Sequence, residues 1–571
     1  MNIKRVFIGL LACLLLVGTV IGCSKTTETP EPVSEATTEP TTEPTAEPYD
    51  PIAEIGEAAI TESKHAREDG YKNPFKTHVI DTELVAVHLE SGDNYSYETL
   101  RALARTVAKD LLTIGGKTGE SPRKITVYII RNLLQDHPVL LGDHMICSVQ
   151  QVETGAYREA LIGMALDLPI VWKQIGLSEL IFGAPEDSGL AAYYRDEAHM
   201  RVASCAAVYC QDGFADAETV AAARNTAASI TAYLLETGGI DALRKAVSTA
   251  DALPAWAERH GIETVFTLPE GHEQAAYLTV YNDRKPGCLC VLEGCGYVFT
   301  VNEGCFAGTP DEAYTFVCRF LYGADVVLDQ LREESPTLAT IAEQHAGEPI
   351  RVNLIPDQTQ SGMSYGSLNE ISLAYSGAAW HELIHALLMK RDGTLWINEA
   401  IAEHFSRRAR SLAMPVEECT EFDDRYASDT AEMTENELAF WKVCWGIYLA
   451  ERAEDATVPP TLYSRSVDCR AIGIAELLSS DDPTDWGQDF SVGAAAGRKT
   501  GDVTEDGNAL SYYEAAAMLE YLFEIYGTET VAAGFMNGKP IEEICSKSYA
   551  ELYRDCVAYY TEKYGELLNL D

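Results

Sequence analysis

The motif HELIH at residues 381–385 constrains this chain more than any other feature, because it lies inside an apolar run, AAWHELIHALL. The run predicts a buried helix. Residues four apart lie one turn apart on the same helix face, so His381 and His385 can present their imidazoles to one metal ion. Glu382 then projects beside them, where a carboxylate can accept a proton from a metal-bound water. The spacing predicts a zinc site with a general base, arranged for hydrolysis of an amide.

A catalytic zinc ion needs a third protein ligand besides the two histidines. Residues 386–391 contain neither the glycine nor the histidine of H-E-x-x-H-x-x-G-x-x-H, which excludes the metzincin pattern. Glu399 fits instead, because it follows His385 with thirteen residues between them, in WINEAIAEHF, a segment with helical periodicity. Glu403 follows one turn later on the same face. His404 points away from that face, so we do not expect it to bind the metal.

With HELIH followed by NEAIAE, the chain resembles the gluzincin metallopeptidases, the group that includes thermolysin-like enzymes and the zinc aminopeptidases. The resemblance covers about residues 270–571, although the spacer of thirteen residues is shorter than in the best-known members. It implies that Glu399 is the third ligand and that Glu403 orients a zinc-binding histidine. Gluzincins commonly bind the oxyanion with a tyrosine or histidine from the C-terminal helical part. That implies Tyr512 or Tyr513 here, with a packing role as the alternative for either.

The N-terminus has the pattern of a targeting segment. Lys4 and Arg5 precede an apolar stretch at residues 6–21, which is shorter than a typical membrane-spanning helix. The following Val-Ile-Gly-Cys resembles the lipobox of bacterial lipoproteins, which implies a lipid on Cys23; the alternative is an ordinary signal peptide with a chance cysteine. Residues 24–51 repeat T-T-E-P and contain almost no large apolar side chains, which predicts a disordered acidic stalk.

Acidic residues strongly outnumber basic ones. The chain has 88 Asp and Glu against 43 Lys and Arg, for a formal net charge of −45. Such a field repels phosphate backbones, so we expect no nucleic-acid partner. The acidity indicates a well-solvated surface rather than a specific cationic ligand.

Four of the fifteen cysteines cluster in GCLCVLEGCGYVFTVNEGC. Cys288, Cys290, Cys295 and Cys305 have a spacing that suggests a second metal site. The flanking residues alternate as in hairpin strands, which favours structural thiols or disulfides over a second metal site. The sequence leaves their connectivity and redox state open.

One strand–helix pattern occurs twice along the chain. The second copy has strands at 350–355 and 371–375, then the HELIH helix and WINEAIAEHF. The first copy has strands at 125–130 and 146–149, then AYREALIGMAL and WKQIGLSELIF. The matching order and spacing predict a duplication. The alternative is that two α+β domains share this order by chance.

The first copy lacks the zinc-binding residues of the second. Arg158 and Ile162 stand where the second copy has its two histidines, and Ile175 stands where it has Glu399. Neither an arginine nor an apolar side chain binds zinc. The first copy is therefore expected to be structural or to bind something other than zinc.

We predict an α+β fold with two tandem gluzincin-like domains, the first degenerate. Each has a small mixed sheet, active-site helices and a C-terminal helical part. The catalytic domain carries an insertion at about residues 406–508, with an amphipathic helix at 435–453. The predicted segments are a lipoprotein signal peptide at 1–22, the stalk at 23–52, the degenerate domain at 53–265 and the catalytic domain at 266–571.

These features predict a zinc metallopeptidase on the bacterial cell surface that hydrolyses extracellular proteins or peptides. Glu382 is the expected general base, and a lipid on Cys23 is the expected membrane anchor. The alternative is an envelope binding or adhesion module that retains zinc without turnover. Three protein ligands and an intact Glu382 argue against it, because a structural zinc site is usually closed by four protein ligands. A non-peptide or glycoprotein-directed hydrolase stays open, because specificity depends on pocket shape.

Overall fold

Two six-stranded mixed sheets, one from each half of the chain, form the frame of the protein. The computed structural model describes residues 50–569 apart from these segments: 66–74, 93–94, 132–136, 184, 186–188, 197–198, 263–275, 282–287, 306–308, 345–347, 357–364, 375, 389–394, 414–433, 457, 459–468 and 480–506. The predicted signal peptide, Cys23 and nearly all of the predicted stalk lie outside the described residues. The stalk prediction reached two residues too far, because a helix begins at Pro51.

Each half contributes six strands in chain order. The strands of the first half are β1 (Thr61–His65), β2 (Phe75–Asp81), β3 (Val85–Glu90), β4 (Ile125–Ile130), β5 (Val139–Leu141) and β6 (His144–Ser148). The strands of the second half are β7 (Thr279–Tyr281), β8 (Cys288–Gly294), β9 (Tyr297–Asn302), β10 (Ile350–Leu354), β11 (Tyr365–Ser367) and β12 (Glu370–Leu373).

The helices surround these sheets. The helices of the first half are α1 (Pro51–Glu57), α2 (Tyr97–Thr118), α3 (Val149–Thr154), α4 (Arg158–Leu166), α5 (Val171–Phe182), α6 (Leu190–Tyr193), α7 (Met200–Ser204), α8 (Ala206–Tyr209), α9 (Ala217–Lys245) and α10 (Leu253–Arg259). Those of the second half are α11 (Pro310–Glu334), α12 (Pro336–Gln344), α13 (Ala379–Leu388), α14 (Leu395–Ala413), α15 (Glu435–Glu454), α16 (Cys469–Ser479), α17 (Gly507–Tyr526), α18 (Thr528–Met536), α19 (Ile541–Cys545) and α20 (Tyr549–Tyr564).

The two sheets share one topology. The first has the order β1-β2-β3-β4-β6-β5, and the second has the order β7-β8-β9-β10-β12-β11. In both, the third, fourth and sixth strands in chain order run parallel, and the three remaining pairings are antiparallel. A crossover helix joins the third and fourth strands of each sheet, namely α2 and α11. Identical order and orientation are what a duplication predicts.

Sequence explains both the central strands and the crossover helices. The strand ITVYII (125–130) is apolar almost throughout, as expected for a parallel strand covered on both faces. Helix α2 begins where the Ser96 side chain accepts a hydrogen bond from the Thr99 N–H, and Gly119 ends it with φ 75°. Thr309 caps α11 in the same way and forms a capping box with Glu312.

Residues 51–571 form a single compact unit, in which one large hydrophobic core spans both halves and a small separate cluster contains Tyr128, Ile130, Val139 and Ile146. A bridge between Ile170 and Tyr281 joins the two halves directly. Helix α14 extends to Ala413, past residue 406 where the predicted insertion begins. Among the described helices, none has both the length and the apolar character that a bilayer crossing requires.

Candidate metal centre

The HELIH motif lies on α13, and every residue of this helix is buried. Trp380 holds the helix against the crossover helix α11, since its Nε1–H donates to the Phe320 carbonyl oxygen at 3.2 Å. One turn of α13 therefore carries His381, Glu382 and His385 into the interior, as their spacing predicts.

Helix α14 brings the predicted third ligand to the two histidines. Glu399 Oε2 lies 3.1 Å from His381 Nε2 and 3.1 Å from His385 Nε2. The two Nε2 atoms are also 3.1 Å apart. Within the described residues, this is the one group of three metal-binding side chains whose ligand atoms converge. The tight spacing of α13 and α14 thus assembles all three predicted ligands.

The donor atoms fit a zinc ion. A tetrahedral zinc ion with bonds of about 2.0–2.1 Å separates its ligand atoms by about 3.3 Å, close to the observed 3.1 Å. His381 Nδ1 lies 2.8 Å from Glu403 Oε1, and a proton on that nitrogen would leave the Nε2 lone pair directed at the site. Lone pairs that converge in a buried pocket repel one another unless a cation lies between them.

The histidines and carboxylates of the site shift one another's pKa values. Burial opposes the charged form of His381, but the carboxylates of Glu403 and Glu399 outweigh it and raise the pKa to about 10. Burial disfavours the ionised Glu399, yet the two histidines lower its pKa to about 2. Burial also raises the pKa of Glu382, with the neighbouring histidines opposing it. A carboxyl group with a raised pKa is suited to accept a proton and return it near neutral pH.

An edge strand lies directly against the HELIH helix. A Cβ atom on Gly366 of β11 would lie 2.3 Å from the Glu382 carbonyl oxygen and 2.8 Å from His385 Cβ. Only glycine permits this approach, because contacts under about 3 Å force atoms to move. Gly366 pairs with Ile371, and Leu140 occupies the corresponding place in the first sheet, opposite Met145. Sequence analysis missed this glycine.

The two predicted oxyanion donors lie on α17. Tyr513 is buried, and its backbone carbonyl packs so closely on Gly473 of α16 that no Cβ fits there. Tyr512 belongs to the same helix, but its side chain lies outside the described part of the structure. A role for either tyrosine at the oxyanion stays a prediction.

His404 is not among the converging ligands, and it takes part in a separate charge network. Its Nδ1 lies 2.6 Å from Glu520 Oε1, and its Nε2 lies 2.7 Å from Glu334 Oε2. Arg470 continues the network at 2.8 Å from both Glu520 and Glu451. The network links α14 to α11 and α17. Through Arg470 it also links them to α15 and α16. Sequence analysis missed it, because the partners of His404 are 70 and 116 residues away.

The first half keeps two of the acidic positions. In the alignment that matches Arg158 with His381 and Ile175 with Glu399, Glu159 corresponds to Glu382 and Glu179 corresponds to Glu403. Both first-half carboxylates pair with one guanidinium, that of Arg224 on α9. Burial opposes the charge of Arg224, but these carboxylates outweigh it and raise its pKa.

The other ligand positions of the first half are used for packing. Ile162 and Ile175 are 0% and 1% exposed. Arg158 Nε donates to Asp110 at 2.9 Å, and the Tyr157 hydroxyl donates to the same carboxylate at 2.8 Å. A salt bridge and apolar contacts therefore stand where the second half has its two histidines and Glu399.

Two of the four clustered cysteines, Cys288 and Cys290, lie on a strand of a hairpin, the element that the flanking residues predicted. Strands β8 and β9 form an antiparallel hairpin that carries Cys288 and Cys290, with Cys295 in its turn. Cys305 follows the hairpin and forms an isolated β-bridge with Pro356. In the described part of the chain the four cysteines are not a convergent metal-binding group.

No family model, curated protein or solved structure matches this chain.

Proposed function

We propose that this protein is a zinc metallopeptidase of the gluzincin type, with a degenerate copy of the same domain in its first half. The convergence of His381, His385 and Glu399 beside Glu382 carries the proposal. Two imidazoles and one carboxylate leave a position open for water, as in catalytic rather than structural zinc sites. The shared sheet topology of the two halves supports the tandem arrangement.

The chain's own residues have distinct tasks in this proposal. A zinc ion held by the three ligands supplies an acidic water and positive charge near the developing oxyanion. Glu382 accepts the proton of the nucleophile and returns it to the leaving amine, which its burial-raised pKa favours. Glu403 keeps the Nδ1–H of His381 directed at its own carboxylate, so that Nε2 remains a ligand.

The position of β11 supports a peptide substrate. It is the edge strand of the second sheet and packs against α13 through Gly366. An edge strand offers backbone N–H and C=O groups to an extended chain, which can add to the sheet. A peptide paired in this way would lie beside Glu382.

The cellular location is proposed from the sequence alone. The apolar stretch before Cys23 and the lipobox-like Val-Ile-Gly-Cys support a lipid anchor at the bacterial cell surface. The acidic Thr/Glu/Pro stalk would hold the folded part away from the membrane. Extracellular proteins or peptides are then the accessible substrates.

Cleavage of a peptide library, read by mass spectrometry together with zinc content, tests the proposal. Wild type should bind about one zinc per chain and cut a defined set of peptides. Glu382→Gln should keep the zinc and lose about 1,000-fold in turnover, because the general base is gone. Glu159→Gln, at the aligned position of the first half, is the matched control and should retain turnover.

Two results would contradict the proposal. Purified wild type without stoichiometric zinc would remove the metal site. Zinc-loaded wild type that leaves every peptide intact would favour the envelope binding module.

A further inference from the structure

The carboxylate of Glu403 is held from two sides. Its Oε1 lies 2.8 Å from His381 Nδ1, and its Oε2 accepts a hydrogen bond from Arg410 Nη2 at 3.1 Å. The same Arg410 nitrogen donates to Ser406 Oγ at 2.9 Å. Arg410 therefore contacts the group that orients a metal ligand, without contacting the ligand itself.

The pair formed by Glu403 and Arg410 is mostly shielded from solvent. The side chains of Glu403 and Arg410 are 5% and 11% exposed. A buried carboxylate that loses its cationic partner either takes up a proton or moves toward water. Around the centre, one divalent ion bound by the proposed ligands would, together with the guanidinium of Arg410, balance the three carboxylates of Glu382, Glu399 and Glu403.

The neighbouring arginines of α14 serve other groups. Arg407 pairs with Glu451 at 3.3 Å, and Arg408 pairs with Glu333 at 2.8 Å. The Arg408 side chain is 36% exposed and its partner is 62% exposed. Arg408 is therefore a matched control on the same helix, with a surface ion pair of small energetic value.

We propose that Arg410 is a positioning residue of the metal centre, which fixes the Glu403 carboxylate against His381 and thereby sets the affinity for the metal. The inference rests on the proposed zinc site. With Arg410 in place, His381 is held in the tautomer and ring orientation that direct Nε2 at the ion. Partners of this kind, one layer behind the ligands, commonly change metal affinity by about 10- to 100-fold.

A double-mutant cycle on the full chain tests the inference. Zinc affinity is measured by competition with a chromophoric chelator for wild type, Arg410→Met, Glu403→Gln and the double variant. Arg410→Met should weaken zinc binding by about tenfold. The double variant should bind no more weakly than Glu403→Gln, because Arg410 acts through Glu403. Arg408→Met should bind like wild type.

A spectroscopic measurement and a conservative variant complete the test. Cobalt loaded in place of zinc should give an altered visible spectrum in Arg410→Met but not in Arg408→Met, because the His381 ring is no longer held. Arg410→Lys keeps the charge with a single point donor and should fall between wild type and Arg410→Met. This variant also covers the case in which Arg410→Met does not fold.

Unchanged zinc affinity in folded Arg410→Met would overturn the inference. So would additive losses in the double variant, which would mean that Arg410 does not act through Glu403. The inference and the proposed function fail separately, because zinc affinity is measured without substrate. If the protein binds zinc with the predicted dependence on Arg410 but cleaves no peptide, only the proposed peptidase activity is contradicted.

Discussion

The two halves of this protein differ in what lies beside the buried carboxylates at aligned positions. In the first half, Glu159 and Glu179 both pair with the guanidinium of Arg224. In the second half, the aligned Glu382 and Glu403 lie beside three converging ligand atoms that fit a metal ion. A side-chain cation gives stability alone, whereas a metal ion with an open position can also activate water. The same sheet topology thus occurs with an Arg–Glu cluster in one half and with a candidate metal centre in the other.

The halves also differ where an edge strand meets the helix. Gly366 allows β11 to approach α13, whereas Leu140 occupies the equivalent place on β5. Ile162 is fully buried at the position of His385. In the first half, apolar side chains therefore pack at the positions where the second half has a candidate ligand and a glycine that lets the strand approach the helix.

The largest expected contrast comes from truncating the same helical position in both halves. His385→Ala should reduce zinc from about one per chain to near none and abolish cleavage, because two ligands do not hold a catalytic zinc ion. Ile162→Ala should leave zinc and cleavage intact but lower the free energy of unfolding by about 2–5 kcal/mol, because it opens a cavity. Elemental analysis and urea denaturation measure the two effects. Full zinc content in His385→Ala would remove that residue from the site.

A smaller effect is expected from removing the internal cation of the first half. Arg224→Met leaves Glu159 and Glu179 without their partner and should lower the free energy of unfolding by about 2 kcal/mol. This is less than for a fully buried pair, since these side chains are between a fifth and a third exposed. Adding Glu159→Gln should restore part of the loss. If urea denaturation shows no change in Arg224→Met, the guanidinium does not have the stabilising role inferred from the comparison.

The smallest expected effect is a pH dependence of stability that arises from His404 in the second half. Burial opposes the charge of His404, but Glu520 and Glu334 outweigh it and raise the pKa from 6.5 to about 9. The stabilisation is therefore complete below about pH 6.5 and is lost as the pH rises through about 9. Leu180 holds the aligned position in the first half and does not titrate.

Urea denaturation of wild type and His404→Gln between pH 6 and pH 10 measures this dependence. Wild-type stability should fall across the range more steeply than that of the variant. Equal slopes in the two proteins would exclude His404 as the titrating group.

The convergence of the three candidate ligands was predictable because their geometry is local. His381 and His385 are one turn apart on a single helix, and Glu399 follows on the next helix after a short spacer. The strands at 125–130 and 350–355, and the helices that follow them in each half, were also predicted, since apolar patterns mark them. The order of the strands and the exchange of Leu140 for Gly366 were not, because they depend on which distant segments pair.

Amino-acid pattern alone was enough for the reactive motif, the mixed α+β architecture and the repeated order of elements, because each follows from neighbours in sequence. Packing of distant helices settled which charges meet: Arg224 with Glu159, and His404 with Glu334 and Glu520. It also brought Arg410 behind Glu403. Ion pairs of this kind depend on folded distance and burial, which no local pattern encodes.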